Sequence, residues 1–221
     1  MFKKIAVLTT RSSWFTPYAK NLVTTIKREH AVPCRLFFDH RAISSGYSVV
    51  FILSYGKIIE KQFLERHRHN IVVHASNLPK GTGWAPLFWQ ILEGKNKIPF
   101  VLFEATEKAD SGLIYLKSDL SLRGDELHDE LRQLEACKVI DLCRMFIRRY
   151  SRLKPKKQTG RRTYYPRRSP KDSELDTHLS LQKLFPLLRT VSNKEFPAFF
   201  YRHGHKYVFH IHKATEESHA K

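Results

Sequence analysis

Short apolar runs and helix-spaced apolar residues alternate along the first two thirds of the chain. Lys4–Thr9 (KIAVLT), Pro33–Phe38 (PCRLFF), Tyr47–Leu53 (YSVVFIL), Asn70–His74 (NIVVH) and Phe100–Glu104 (FVLFE) are nearly continuous apolar runs bounded by turn residues. Such runs predict strands buried on both faces. Phe15–Glu29, Glu60–His67 and Pro86–Glu93 read as helices, the last stopped by Gly94. Gly112–Leu122 reads as an extended segment. Asp125–Tyr150 is a long amphipathic helix, with Leu127, Leu131, Leu134, Cys137, Ile140, Leu142, Met145 and Phe146 as its apolar positions. This alternation predicts an α/β fold: a Rossmann-like, three-layer core over residues 1–152 with a mostly parallel sheet.

The pattern changes after Arg152. Residues 153–175 are rich in Pro, Lys and Arg and predict a linker or substrate clamp. Residues 176–221 predict a small C-terminal subdomain. Its helix falls over Leu175–Val191, with Leu179, Leu184, Leu187 and Leu188 inward and a kink at Pro186. A hairpin over Pro197–His212 turns at His203-Gly204.

Charge adds a local feature. The chain carries 39 Lys+Arg against 21 Asp+Glu, a net +18, and Arg144–Lys171 supplies twelve of the cations without one acid. Such a block is a solvated or mobile segment, or a site for phosphate or nucleic acid. Cys34, Cys137 and Cys143 have no metal or redox spacing and read as reduced residues of a cytoplasmic protein. MFKKIAVLTT reads as a first strand rather than a signal peptide, and no window reaches 18 apolar residues, so no membrane is expected. His203, His205, His210 and His212 crowd the hairpin, but no Cys or carboxylate completes a ligand set, so no metal is expected.

The candidate chemistry lies between Asn70 and Asp110. Ligands of open α/β sheets bind beyond the carboxyl ends of the strands. A histidine ending one strand (His74) and an aspartate after the next (Asp110) can meet there. A histidine accepts or donates a proton near neutral pH, and a carboxylate orients it and stabilises its charged form. The polar loop Thr9–Ser13 before the first helix is a ready anion site, which makes Arg11 and Ser12 candidates for acceptor phosphate, with Lys80. GxGxxG is absent, so there is no dinucleotide fingerprint.

The segment HASNLPKGTGWAPLFWQILEG, followed after a strand by KADSGLIY, resembles the 10-formyltetrahydrofolate-dependent formyltransferases. His74, Ser76, Leu78, Pro79, Gly83, Ala85, Pro86, Gly94, Asp110 and Gly112 fit that family's pattern in order, over roughly Lys4–Tyr150. The resemblance implies that His74 and Asp110 are catalytic. It also implies that the cosubstrate 10-formyltetrahydrofolate lies against Ser54, Tyr55, Gly56, Ile58 and Ile59, with Glu104, Ala105 and Asp110 as the opposite wall. Gly83, Trp84, Arg167 and Arg168 would join Arg11, Ser12 and Lys80 around the acceptor. One position departs. The family's catalytic asparagine stands two residues before the histidine, where this chain has Val72; Asn70 lies one strand repeat further back, and Asn77 is the candidate replacement.

Within the family the helix with Trp84, Phe88 and Trp89 resembles the bacterial sugar-nucleotide branch (the pseudaminic acid-pathway type). The stretch from Asp176 onward is short for the C-terminal barrel of methionyl-tRNA formyltransferases. The expected acceptor is therefore the amine of a nucleotide-linked amino sugar, such as a UDP- or dTDP-linked 4-amino sugar in surface glycan synthesis. Nucleic acid is disfavoured as a partner and a homodimer is left open. The alternatives are a methionyl-tRNA formyltransferase-like enzyme, or an RNA-binding protein on a degenerate core, the latter motivated by Val72 and the basic block.

Overall fold

The computed structural model describes residues 2–214. Its centre is a six-stranded sheet of β1 (Ile5–Leu8), β2 (Cys34–Phe37), β3 (Val49–Ile52), β4 (His69–His74), β6 (Lys97–Glu104) and β7 (Ile114–Ser121), in the order β2-β1-β3-β4-β6-β7. Four strands are mutually parallel, and β6 and β7 reverse in turn. β1 and β3 are buried along their whole length, the reason their sequences read as unbroken apolar runs.

The larger apolar cluster lies between the sheet and three helices: α1 (Thr16–His30), α3 (Pro86–Leu92) and α4 (His128–Arg149). α1 buries Ala19, Leu22 and Ile26 at helical spacing, starts with Pro17 in its first turn and ends on Lys27, Arg28 and His30, which suit the negative end of the helix dipole. α4 buries Leu131, Ala136, Val139, Leu142, Cys143 and Phe146. The other face is covered thinly, by Ile43, Tyr47 and Phe63 around α2 (Lys61–Leu64). That helix is half the length its sequence suggests.

Two differences from the sequence reading matter. First, β6 runs antiparallel to β4, so its carboxyl end lies away from His74, with His74 opposite Val101 and Ile71 opposite Glu104. A strand buried in the sheet reads as an unbroken apolar run whichever way it points, so the pattern of β6 did not carry its direction. Second, the C-terminal helix is α5 (Leu181–Leu188), starting where the Ser180 side chain accepts from the Lys183 N–H. Leu184 and Leu188 are buried as expected, Leu187 is half-buried, and Leu179 lies outside the helix and exposed. The strands β9 (Ala198–Arg202) and β10 (His205–Phe209) form the hairpin.

Residues 153–171 form an extended strap laid on the core. Lys156 exchanges both backbone hydrogen bonds with Ile114 (2.8 and 2.9 Å). β8 (Tyr164–Tyr165) pairs in parallel with β5 (Thr82–Gly83), a two-residue ribbon that no periodicity reveals. Gly83 is required there: at φ +100 a Cβ would lie 2.3 Å from the Tyr165 carbonyl oxygen. No helix among the described residues is long and apolar enough to cross a membrane.

Candidate active site

β5 is the narrow ribbon on which the site is assembled. Backbone groups of an extended segment point alternately to either edge. Thr82 and Trp84 donate N–H groups to the strap, to the carbonyls of Thr163 and Tyr165 (both 3.0 Å). Between them, the Gly83 N–H points the other way and donates to Asp110 Oδ2 (2.9 Å). The His74 ring, at the end of β4, meets the Gly81 carbonyl through Nε2 (2.9 Å). His74 and Asp110 therefore share one backbone segment, two residues apart, and no direct hydrogen bond joins them. Asp110 arrives by the loop 105–113, which leaves and re-enters the sheet at the Glu104–Leu113 hydrogen bond (2.9 Å). Its φ of +55 marks a sharp turn.

These contacts settle the histidine tautomer. A carbonyl only accepts, so Nε2 carries the hydrogen, and in the neutral ring Nδ1 holds the free lone pair. His74 and Asp110 are both half-buried.

The remaining predicted residues fall into groups. Thr10, Ser13, Ser54 and Gly56 knit two loops together: the Gly56 N–H donates to Thr10 Oγ1 (3.1 Å) and Ser13 Oγ to Ser54 Oγ (2.7 Å). Tyr55 is fixed by its hydroxyl, which meets His40 Nδ1 (2.8 Å), while His40 Nε2 meets Glu60 (2.7 Å). Tyr55, Ile59, Val72 and Ala105 border the same apolar cluster, so the valine at the departed position is part of an apolar wall. Ile58 is 88% exposed. Glu104 turns away: its carboxylate meets His69 (2.9 Å) and the Asn70 N–H. Asn70 gives its amide to the Leu64 carbonyl (2.8 Å). Asn77 is exposed, its Oδ1 accepting from Lys117 (3.0 Å), and no hydrogen bond joins it to His74.

On the acceptor side, the Arg11 guanidinium lies over the Phe38 ring (4.3 Å), and Ser12 and Lys80 are exposed. Arg167 lies over exposed Trp84 (5.1 Å), which brings that pair together beside β5. Arg168 is spent differently, on the carbonyls of Thr190 (3.3 Å) and Asp172 (3.4 Å), and burial lowers its pKa.

α4 contributes residues that sequence reading missed. Arg132 is sandwiched between the Trp14 and Phe88 rings, 4.4 Å from each, and donates to Glu135 (3.0 Å). Burial raises the Glu135 pKa, against the opposing pull of Arg132. His128 stacks on Phe88 at 5.4 Å, and burial lowers its pKa. The available signal was three polar residues, 128, 132 and 135, on one stripe of an amphipathic helix. Among the described residues no three His, Cys, Asp or Glu gather as a metal-binding group.

Residues 39–136, which span α3, β4, β5, β6, β7 and both His74 and Asp110, match the formyl transferase family model. A methionyl-tRNA formyltransferase from Thermodesulfovibrio yellowstonii is 31% identical over 143 residues, 62% of this chain and 46% of that protein. The chain spans about half the length of the curated relatives it matches. Three solved structures share the fold. A methionyl-tRNA formyltransferase from Clostridium thermocellum superposes with TM-score 0.78 at 22% identity, covering 97% of this chain and 95% of that one. A sugar N-formyltransferase from a Shewanella species gives 0.72 at 15%, covering 96% and 98%. HypX from Aquifex aeolicus, solved with tetrahydrofolic acid, gives 0.70 at 17%, covering 94% and 37%.

Proposed function

We propose that this chain is an N-formyltransferase that moves the formyl group of 10-formyltetrahydrofolate to the amine of a nucleotide-linked amino sugar. The observation that carries the reading is the convergence of His74 and Asp110 on the segment 81–83 inside the formyl transferase match. The acceptor amine attacks the formyl carbon, a C–N bond forms, and the bond from that carbon to folate N10 breaks. His74 Nδ1 takes the proton released by the amine and returns it to N10 as N10 leaves. The second oxygen of Asp110 stabilises the imidazolium in passing. Oxyanion donation falls to the Asn77 amide, oriented by Lys117, in place of the asparagine that Val72 replaces.

The folate is proposed to lie along Tyr55, Ile58 and Ile59, with Ala105 and the 105–110 turn opposite. Ser54 and Gly56 shape that end of β3, and Glu104 acts from behind through Asn70. The acceptor is proposed to meet Arg11, Ser12, Lys80, Gly83, Trp84 and Arg167 at the strap, with Arg168 fixing the strap from beneath. The Shewanella enzyme, covered almost end to end, supports the sugar reading.

A second reading, formylation of methionyl-tRNA, has its own support. Among the described residues none of the cations from Arg148 to Lys171 makes an ion pair with an acid, and unpaired cations on an ordered strap suit a phosphate chain. The deciding experiment incubates the protein with 10-formyltetrahydrofolate and either a panel of amino-sugar nucleotides or methionyl-tRNA, and reads formyl mass gain. A mass increase of a sugar nucleotide is expected. Formylation of the tRNA alone selects the second reading, and no formylation of either removes the enzyme assignment. Within an active enzyme, Asn77→Ala is expected to lower kcat by about 10²-fold, the cost of one oxyanion donor. Unchanged turnover would take Asn77 out of the mechanism.

A further inference from the structure

The strap does more than cover the core. Between Lys154 and Arg162 its side chains are exposed except one: Gln158 is turned inward and half-buried. Its Nε2 donates to the Asp110 carbonyl (3.1 Å) and to the Gly112 carbonyl (3.0 Å). An amide NH2 has two hydrogens, so one side chain satisfies both acceptors. Arg162 donates to the Ala109 carbonyl of the same turn (3.2 Å). Three carbonyls around Asp110 are thus held by the strap.

The same strap holds the other partner. Thr163 accepts from the Gly81 N–H through its hydroxyl (2.8 Å) and from the Thr82 hydroxyl through its carbonyl (2.8 Å), and donates its N–H to the Pro79 carbonyl (3.3 Å). Gly81 is the residue that meets His74. The loops bearing His74's partner and Asp110 are joined to each other by one hydrogen bond, from Gly83 to Asp110, and each is clamped separately to the strap, the Asp110 turn by Gln158 and Arg162 and the other by Thr163.

We infer that Gln158 is a positioning residue: it holds the Asp110 turn, at a left-handed φ, in the place where the carboxylate meets the Gly83 N–H, two residues from the Gly81 carbonyl that meets His74. The inference rests on the proposed formyl transfer for its kinetic readout and on hydrogen bonding alone for its structural one. Without the amide, the turn loses its inward hold, and a displacement near 1 Å at the reacting groups costs about 10²-fold in rate.

The test compares Gln158→Leu, which keeps the bulk and removes the donors, with Gln158→Lys, which keeps a donor. In Gln158→Leu kcat is expected to fall about 10²-fold, with KM for folate and acceptor within about threefold of wild type. Gln158→Lys recovers most of that loss. Independently of turnover, the Gly83 amide, protected by Asp110, exchanges at least about tenfold faster in Gln158→Leu than in wild type, read by NMR hydrogen exchange. If Gln158→Leu does not fold, Gln158→Ser, which leaves room for water at the two carbonyls, is read in its place. Wild-type kcat, equal losses in the Leu and Lys variants, or unchanged Gly83 protection each overturn the inference. A wild-type protein that formylates nothing removes the proposed function instead and leaves the Gly83 exchange result to decide the role of Gln158.

Discussion

Replacing His74 with alanine is expected to lower kcat for formyl transfer by at least about 10³-fold, within the range general acid–base catalysis supplies. The ring is the one titratable group the structure places at the end of β4 against β5, with its Nε2 hydrogen already used by Gly81. That leaves Nδ1 free for the amine proton. His74→Gln separates chemistry from architecture, since an amide N–H can still reach the Gly81 carbonyl but cannot cycle a proton. Both variants should fold with an unchanged near-ultraviolet circular dichroism spectrum. Turnover in either variant within tenfold of wild type would sink the role given to His74. Asp110→Asn is expected to be milder, because an amide oxygen still accepts from the Gly83 N–H while the charge that stabilises imidazolium is gone.

The second large effect concerns stability. Arg189→Met should destabilise the protein by about 3–5 kcal/mol, the usual cost of removing one partner from a buried ion pair. Arg189 and Glu126 have side chains only 5% exposed each. The guanidinium donates to the Glu126 carboxylate (2.7 Å), the Glu126 carbonyl (3.0 Å) and Asn96 Oδ1 (3.0 Å), and it ties the end of α5 to the start of α4. The Arg123 and Gly124 N–H groups also donate to that carboxylate (2.6 and 3.1 Å). Burial pushes the Glu126 pKa up, but these N–H groups and Arg189 outweigh it, so the net direction is down. A carboxyl lowered on folding stabilises fully above its unfolded value, near 4.3, and loses that contribution as pH falls through the lower folded value. Arg189→Met removes part of the lowering, so it should lose less stability on acidification than wild type does, from a lower starting value at pH 7. Urea titrations from pH 7 to pH 3 measure both effects. A loss under about 1 kcal/mol at pH 7, with an unmoved acid limb, would show that the pair is not what holds α5 to the core.

Much of this fold was written locally. β1, β3 and the helices α1 and α4 follow from apolar runs and 3.6-residue spacing, because their burial is decided by residues close in sequence. The candidate pair was readable for the same reason: His74 ends a strand, Asp110 sits in a Gly-terminated turn, and the surrounding words match a family. Elements set by long-range pairing were not readable. β5 and β8 are two residues each, and nothing in TG or YY announces a ribbon. The direction of β6 is fixed by its pairing with β4 and β7, and its own apolar run is the same in either direction.

The same division runs through the site. By itself the sequence determined that a histidine and an aspartate stand in a formyl-transferase pattern, and that valine replaces the expected asparagine. Only the tertiary structure decided that the two are not bonded to each other but share the segment 81–83, that Glu104 faces His69, and that Gln158, 48 residues past Asp110, grips its turn. The physical reason is that hydrogen-bond partners brought together by the path of the strap are far apart in sequence and leave no periodic trace along it. A basic, proline-rich stretch reads as a linker because its composition reports exposure, and its backbone, which does the holding, has no composition to report.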